Sequence, residues 1–458
     1  MPDFDFDVAI LGGGMGGYPA AIRASQLGMK VALVESAKLG GTCLHIGCIP
    51  TKALLESSEL YHRVATRGVE FGLKAEVVGY DYPKIADRRD AVVNQLYRGV
   101  QFLMKKNKIE VVQAKGRLRD KNTIEANGRL VTAKNLIVAT GSIVRTLPGI
   151  ELDGEYVVSS DNAVLARNVP ESIAIIGAGA VGVEFATLYN QLGVKVTLLE
   201  ALDRLVPLED EDVSKEMLGA FKKAGIECRL GVKVSGAKKA RDGVSVETDQ
   251  GEVWAKQLLV AVGRAAVSKD LGLEQVGVQT HPNGFIKVDE WMRTSVDSVH
   301  AIGDVVGGFL LAHAASHEGV TAAEDIAGQR LAPFEQNLVT RCTYSHPQVA
   351  SVGLTEKQAR DQGHELKIGK FPFSAIGRAQ IHGETGGFVK VVADAKSGAI
   401  LGTHIVGDSA TELIAEPALT QLFQGDAWEL GRNIHPHPTL SEAVMEAALA
   451  VDGQAIHI

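Results

Sequence analysis

Residues 8–35 read VAILGGGMGGYPAAIRASQLGMKVALVE, and residues 173–200 read IAIIGAGAVGVEFATLYNQLGVKVTLLE. The two stretches lie a constant 165 positions apart and share 13 of 28 residues, including the three glycines of a GxGxxG turn, a Gln-Leu-Gly and the closing glutamate. Each copy opens with an apolar run of strand type and passes through the glycine turn into an amphipathic helix. The helix ends at Gly28 or Gly193, and a second apolar strand follows. That is a βαβ unit written twice. Gly12 and Gly177 permit the tight turn, Gly14 and Gly179 let backbone amides approach a pyrophosphate, and Gly17 and Gly182 let helix pack closely on strand. The helix N-terminus adds its positive dipole end. Glu35 and Glu200 each follow the first glycine by 23 residues, where a carboxylate can accept hydrogen bonds from ribose hydroxyls. A single such turn is by default only a turn; two full copies with the acid in place predict two dinucleotide sites. Pro19 falls inside the first helix and strains its ladder unless it occupies the opening turn. Glu200 at the ribose edge repels the 2′-phosphate of NADP, so NAD is expected, with Arg204 nearby to soften the preference.

The rest of the chain is consistent with this plan. Its 458 residues exceed a single core and fit about three domains. With 45% hydrophobic and 22% charged residues, it is neither disordered nor fibrous. Lys and Arg number 47 against 55 Asp and Glu, a net charge of −8, so nucleic acid is not an expected partner. The opening MPDFDFDVAI has acids where a signal peptide places lysines, and no apolar run reaches the ~18 residues a membrane span needs. The expected compartment is the cytoplasm, where a disulfide is usually catalytic, sensing or absent. Cys228 and Cys342 stand alone in sequence and read as inert packing residues.

Residues 83–106 have helical apolar spacing, followed by strand-like segments through LIVATGS at 136–142. The second repeat leads to LLVAVGR at 258–264 and then VHAIGDV at 299–305. From about residue 337 the glycine loops stop, and the last part reads as a separate α+β domain.

Between the repeats lies GGTCLHIGCIPTK, residues 40–52, with two of the chain's four cysteines. Three readings compete for Cys43 and Cys48. A zinc site wants four ligands, and His45 supplies at most a third in an unusual spacing. A structural disulfide closing so small a ring restrains the unfolded chain by only about 2 kcal/mol. The third reading is a redox pair, with a helix beginning near Thr51, whose dipole, aided by Lys52, stabilises a thiolate. Beside two dinucleotide sites, that pair suggests electrons passing between a nicotinamide, a flavin and a disulfide.

This stretch closely resembles the active-site signature of the pyridine nucleotide-disulfide oxidoreductases, and especially that of the dihydrolipoamide dehydrogenases among them. The resemblance spans nearly the whole chain, through Ala139-Thr140-Gly141, Ala301-Ile302-Gly303-Asp304, Leu311-Ala312-His313 and His435-Pro436-His437-Pro438-Thr439-Leu440-Ser441-Glu442. It implies two Rossmann-like domains, binding FAD and NAD, plus a C-terminal α+β dimerisation domain: residues 1–146 with 268–336, residues 147–267, and residues 337–458. FAD contacts implied are Gly12, Gly14, Gly17, Glu35, Lys52, Gly116, Thr140, Gly141, Asp304 (on the ribitol), Leu311 and Ala312. Those for NAD are Gly177, Gly179, Gly182, Glu184, Glu200, Val234 and Gly263. No metal is implied. Cys43 and Cys48 would form the redox disulfide, with Cys48 on the flavin side, and Lys52 would pair with Glu184. Partners implied are a second copy of the chain and the lipoyl domains and E2 core of a 2-oxo acid dehydrogenase complex. Two departures stand out: His45 replaces a common Asn, and Arg264-Ala265-Ala266-Val267 replaces an Arg-x-Pro-Asn run, which leaves the local loop geometry open.

His437 has two readings. Thr439 and Glu442 fit a capping box before SEAVMEAALA, which would make the segment a helix entry. By resemblance, His437 is instead the general base, oriented by Glu442 and facing the cysteine pair of the neighbouring subunit, with His435 a bystander. Rivals within the family would reduce glutathione or mercuric ion. The chain ends DGQAIHI without a second cysteine pair, and Glu200 opposes NADPH. A flavoprotein redox sensor would not need Lys52, Glu184, His437 and Glu442 together.

Overall fold

A computed structural model describes residues 4–74 and 79–458, so residues 1–3 of the expected FAD domain and residues 75–78 lie outside the described residues. Both copies of the repeat fold alike. Phe6–Leu11 runs parallel to Val31–Glu35, with Val8 opposite Val31, and Ser172–Ile176 runs parallel to Lys195–Leu199, with Leu199 opposite Ile176. Each glycine helix, Gly17–Gln26 and Ala180–Gln191, stops before a left-handed glycine, Gly28 or Gly193. There Met29 and Val194 reach back to the carbonyls of Ala24 and Tyr189 and satisfy the helix ends. Pro19 is the third residue of its helix, inside the opening turn, and the Met15 carbonyl that its missing amide leaves free accepts instead from the Ser316 hydroxyl at 2.8 Å.

The first sheet runs Glu110–Gln113, Val31–Glu35, Phe6–Leu11, Arg129–Val138, Thr123–Ala126 and Gly116–Asp120. Val299–Ala301 adds in parallel to the end of Arg129–Val138, so chain from both sides of the second repeat builds one sheet. Helices cover one face, where Val8, Ile10 and Leu33 meet Ala20, Val100 and Ala322. The antiparallel strands fold over the other, where Ala9, Leu11 and Val34 meet Leu118, Ile124 and Val131. Burial on both faces explains why the parallel strands Phe6–Leu11 and Val31–Glu35 are almost wholly apolar.

The second sheet has five parallel strands, with Ser172–Ile176 between Lys195–Leu199 and Gln257–Val260. A three-stranded antiparallel ribbon, Val234–Ala240 to Gly251–Ala255, packs beside it. The final domain is a five-stranded antiparallel sheet on which the helix Glu442–Ala450 packs, through Val444, Ala447 and Ala448. Two dinucleotide-binding α/β units and a C-terminal α+β unit are the fold class expected. Among the described residues no helix is long and apolar enough to cross a membrane.

One boundary differs from expectation. The helix after the cysteine pair begins at Cys48 and runs to Arg67, three residues earlier than Thr51, and a short helix, Gly41–Ile46, holds Cys43. The break between them is Gly47, where a Cβ would stand 2.9 Å from the Thr42 carbonyl oxygen. The two helices can fold back this tightly only with glycine there.

Candidate functional site

A cavity of about 1740 Å³ is lined by both glycine loops, the cysteine pair, Lys52, Glu184 and Asp304. The glycines of the two loops divide into three geometric kinds. Gly12 and Gly177 have φ of +109° and +100°, and a Cβ would lie 2.2 Å and 2.3 Å from the carbonyl oxygens of Ala139 and Ala261. At Gly17 and Gly182 a Cβ would lie 1.8 Å from the carbonyl oxygens of Gly12 and Gly177. Gly14 and Gly179 touch almost nothing: Gly41 Cα at 3.9 Å for the first, and no atom within 4 Å for the second. A side chain at either would enter cavity space, so the bare backbone fits the close approach of a pyrophosphate.

The acids that close each repeat serve the loops themselves. Glu35 accepts hydrogen bonds from the amides of Gly13 and Ala37, both 2.6 Å, and Glu200 from those of Ala178 (2.7 Å) and Leu202 (2.9 Å). Each carboxylate keeps acceptor capacity for a ribose hydroxyl. Arg204 bonds Glu211 and the Pro207 carbonyl, both at 3.1 Å. The residues present thus fit two dinucleotides, one per repeat. Gly116, Thr140, Gly141, Leu311 and Ala312 line the cavity with the first loop, and Val234 and Gly263 with the second.

Cys43 and Cys48 are free thiols, brought together by the turn at Gly47. The Cys43 thiol donates to Cys48; although burial opposes ionisation, that hydrogen bond and the nearby Lys52 ammonium hold Cys48 down at about 7. Cys43 is pushed up, first by its hydrogen bond to Cys48 and then by burial. Lys52 is tied to both oxygens of Glu184, at 2.7 Å and 2.8 Å, and Glu184 also accepts from the Tyr344 amide at 2.9 Å. Burial disfavours the ammonium, but Glu184 outweighs it, so Lys52 stays above the usual lysine range. One cation thus faces the lower-pKa thiol of the pair. His45 bonds the Leu39 carbonyl at 2.9 Å and meets Tyr97 edge-on. Among the described residues no group of three or more His, Cys, Asp or Glu side chains is placed to hold a metal.

The loop left open by the sequence is a short ribbon: Arg264–Ala266 pairs antiparallel with Ser142–Val144. Thr140 donates to the Val267 carbonyl at 2.6 Å, and Arg264 to the Ser142 hydroxyl at 2.6 Å. Ser142 in turn donates to Asp304. Behind Asp304, Glu318 accepts from the Gly303 amide at 2.6 Å, and burial pushes its carboxyl up to about 7. Burial likewise raises the Cys228 and Cys342 thiols to about 11, so neither is a thiolate near neutral pH.

His437 Nδ1 lies 2.9 Å from Glu442 Oε1, but neither residue lines the cavity. The His437 side chain is 76% exposed within the single chain. The capping box is only half made. Glu442 accepts from the Thr439 amide at 2.9 Å, while the Thr439 hydroxyl goes to the Pro436 carbonyl, and the helix starts at Glu442 with Ser441 as N-cap. His435 is held by Glu416 at 2.9 Å. Not foreseen in the sequence were Tyr344, Glu209 and Arg341, which reach the site from distant segments without a motif.

Residues 6–319 match the family described as pyridine nucleotide-disulphide oxidoreductase, and residues 339–448 match its dimerisation domain. The chain belongs to the pyridine nucleotide-disulphide oxidoreductase family. Among its relatives is a dihydrolipoyl dehydrogenase of Bacillus subtilis (strain 168), 47% identical over a 473-residue alignment covering 99% of each chain. The dihydrolipoyl dehydrogenase of Thermus scotoductus is 45% identical over 462 positions, again 99% of both chains. In structure, LpdA from Mycobacterium tuberculosis superposes with a TM-score of 0.91 at 26% identity, covering 96% of this chain and 98% of that one. As members of this family do, the protein uses FAD and NAD(H), and the dimerisation-domain match supports a homodimer.

Proposed function

We propose that the protein is a dihydrolipoyl dehydrogenase, oxidising dihydrolipoyl groups to lipoyl and reducing NAD+ to NADH through a Cys43–Cys48 disulfide. The observation that carries this is the thiol pair at a helix start, beside the Lys52–Glu184 ion pair, in a cavity shared by both glycine loops. Full-length relatives named dihydrolipoyl dehydrogenase disfavour a glutathione or mercuric acceptor.

In this reading the dithiol enters beside Cys43. His437 of the partner subunit takes a proton from one substrate thiol, and Glu442 stabilises the imidazolium that forms. The substrate thiolate attacks Cys43 Sγ, the Cys43–Cys48 bond breaks, and Cys48 leaves as a thiolate facing Lys52. The second substrate sulfur, after losing its own proton, attacks the first, and lipoyl departs as Cys43 is released. Two electrons have moved from substrate to cysteine pair, and two protons have left the substrate thiols. FAD bound at the first glycine loop supplies the two-electron conduit from the reduced pair to NAD. The chain's part is to hold Cys48 ionised, to keep Asp304 and the glycine loops in place, and to move the thiol proton through His437.

The homodimer completes the site, because His437 and Glu442 lie outside the cavity of their own chain. Lipoyl domains and the E2 core of a 2-oxo acid dehydrogenase complex are the proposed partners, and the cytoplasm the proposed compartment. Replacing Cys48 with Ser tests the reading. NADH formation from dihydrolipoamide should vanish while FAD remains bound; retained turnover would refute the redox role of the pair.

A further inference from the structure

Between Glu200 and the helix Glu211–Lys223 the chain makes a turn with an unusual residue at its centre. Val206 is buried and β-branched yet has a φ of +41°, a conformation such residues avoid. Its amide donates to the Ala178 carbonyl, 2.8 Å away, inside the second glycine loop, and its carbonyl accepts from Glu209 at 2.9 Å. Val206, Pro207, Leu208 and Glu209 all line the cavity next to Gly177 and Gly179. A strained turn therefore forms part of the wall against the NAD loop.

Strain of this kind persists only where the surroundings over-determine it. The restraint here comes from the final domain. Arg341 donates to both oxygens of Glu209, at 3.1 Å and 3.4 Å, and Ser351 donates to the same carboxylate. One residue on, Asp210 accepts from Lys390 at 2.8 Å and from the Glu356 amide at 3.0 Å, while Lys390 also pairs with Asp212 and Glu356. Glu209, Asp210, Arg341 and Lys390 are all buried. Buried ion pairs often contribute little net stability, because desolvation offsets the attraction, and an apolar patch would join two domains as well.

We infer that Glu209 and Arg341, backed by Asp210 and Lys390, are positioning residues that lock the Val206 turn against Ala178 and so preset the NAD-binding loop from the dimerisation domain. The inference rests on assigning the second glycine loop to NAD. It differs from a generic domain glue in one respect: the lock is needed only because the residue at the turn is not glycine. Glycine adopts positive φ freely, so it should make the lock dispensable.

The experiment measures NADH binding by anaerobic calorimetric titration of the FAD-loaded dimer fully reduced beforehand with dithionite, so that NADH binds without transferring hydride, with FAD content checked in each sample. Arg341→Met should weaken NADH binding about tenfold and raise KM for NAD alike, leaving KM for dihydrolipoamide unchanged. Glu209→Gln, a milder change that keeps the shape, should weaken it about threefold and serves if Arg341→Met does not fold. Adding Val206→Gly to either should restore affinity to within about twofold of the wild type. Unchanged NADH affinity in the variants, or a loss that Val206→Gly fails to relieve, would overturn the positioning role. Absence of NADH binding by the wild-type dimer itself would instead remove the NAD assignment beneath it.

Discussion

Replacing Cys43 with Ala removes the donor that most lowers Cys48. The ordinary thiol value is 9.0 and Cys48 sits at about 7, so its surroundings favour the thiolate by roughly 3 kcal/mol. The hydrogen bond from Cys43 is the largest cause, burial works against it, and Lys52 supplies the remainder. Without Cys43, Cys48 should titrate closer to the ordinary thiol value, so that the thiolate fraction at pH 7 falls severalfold. The assay is the rate of iodoacetamide alkylation of Cys48 in the reduced, FAD-loaded protein against pH, read by mass spectrometry. A midpoint near that of the wild type in Cys43→Ala would show that Cys43 does not hold the Cys48 thiolate, and the assignment of Lys52 as the minor partner would fall with it.

His437→Gln should slow the dithiol half-reaction about 10²-fold, the range for loss of a general base, with FAD content unchanged; an effect on KM alone in stopped-flow traces would contradict the role. Glu318 titrates at about 7 against an ordinary 4.5 because it is buried, so its neutral form favours the fold. That contribution is complete below pH ~4.5 and is lost as pH rises to about 7, amounting to roughly 3 kcal/mol. Glu318→Gln should therefore raise Tm relative to wild type at pH 8 and change it little at pH 4.5; an equal difference at both would refute the reasoning.

The fold was legible because it is written twice. Strand, turn, helix stop and acid recur at one offset, and each glycine kind does what its place in the motif requires: positive φ at Gly12, close packing at Gly17, bare backbone at Gly14. The pairs Lys52–Glu184 and His437–Glu442 were reachable only through resemblance, since 132 residues separate the first pair in sequence. The helix start at Cys48 was missed because Gly47, not a side-chain cap, sets it. The capping box misled because Glu442 does return to the Thr439 amide while the Thr439 hydroxyl finds another acceptor. Glu209, Arg341 and Lys390 had no signature: buried ion pairs join residues up to 180 positions apart, and no local pattern announces them.

The most direct test of the account is anaerobic mixing of the FAD-loaded protein with dihydrolipoamide and NAD+, following NADH, beside a parallel trial of NADH oxidation by glutathione disulfide. The account predicts rapid, ping-pong NADH formation from dihydrolipoamide and negligible reaction with glutathione disulfide. No NADH from dihydrolipoamide, or faster turnover with glutathione disulfide, would contradict it.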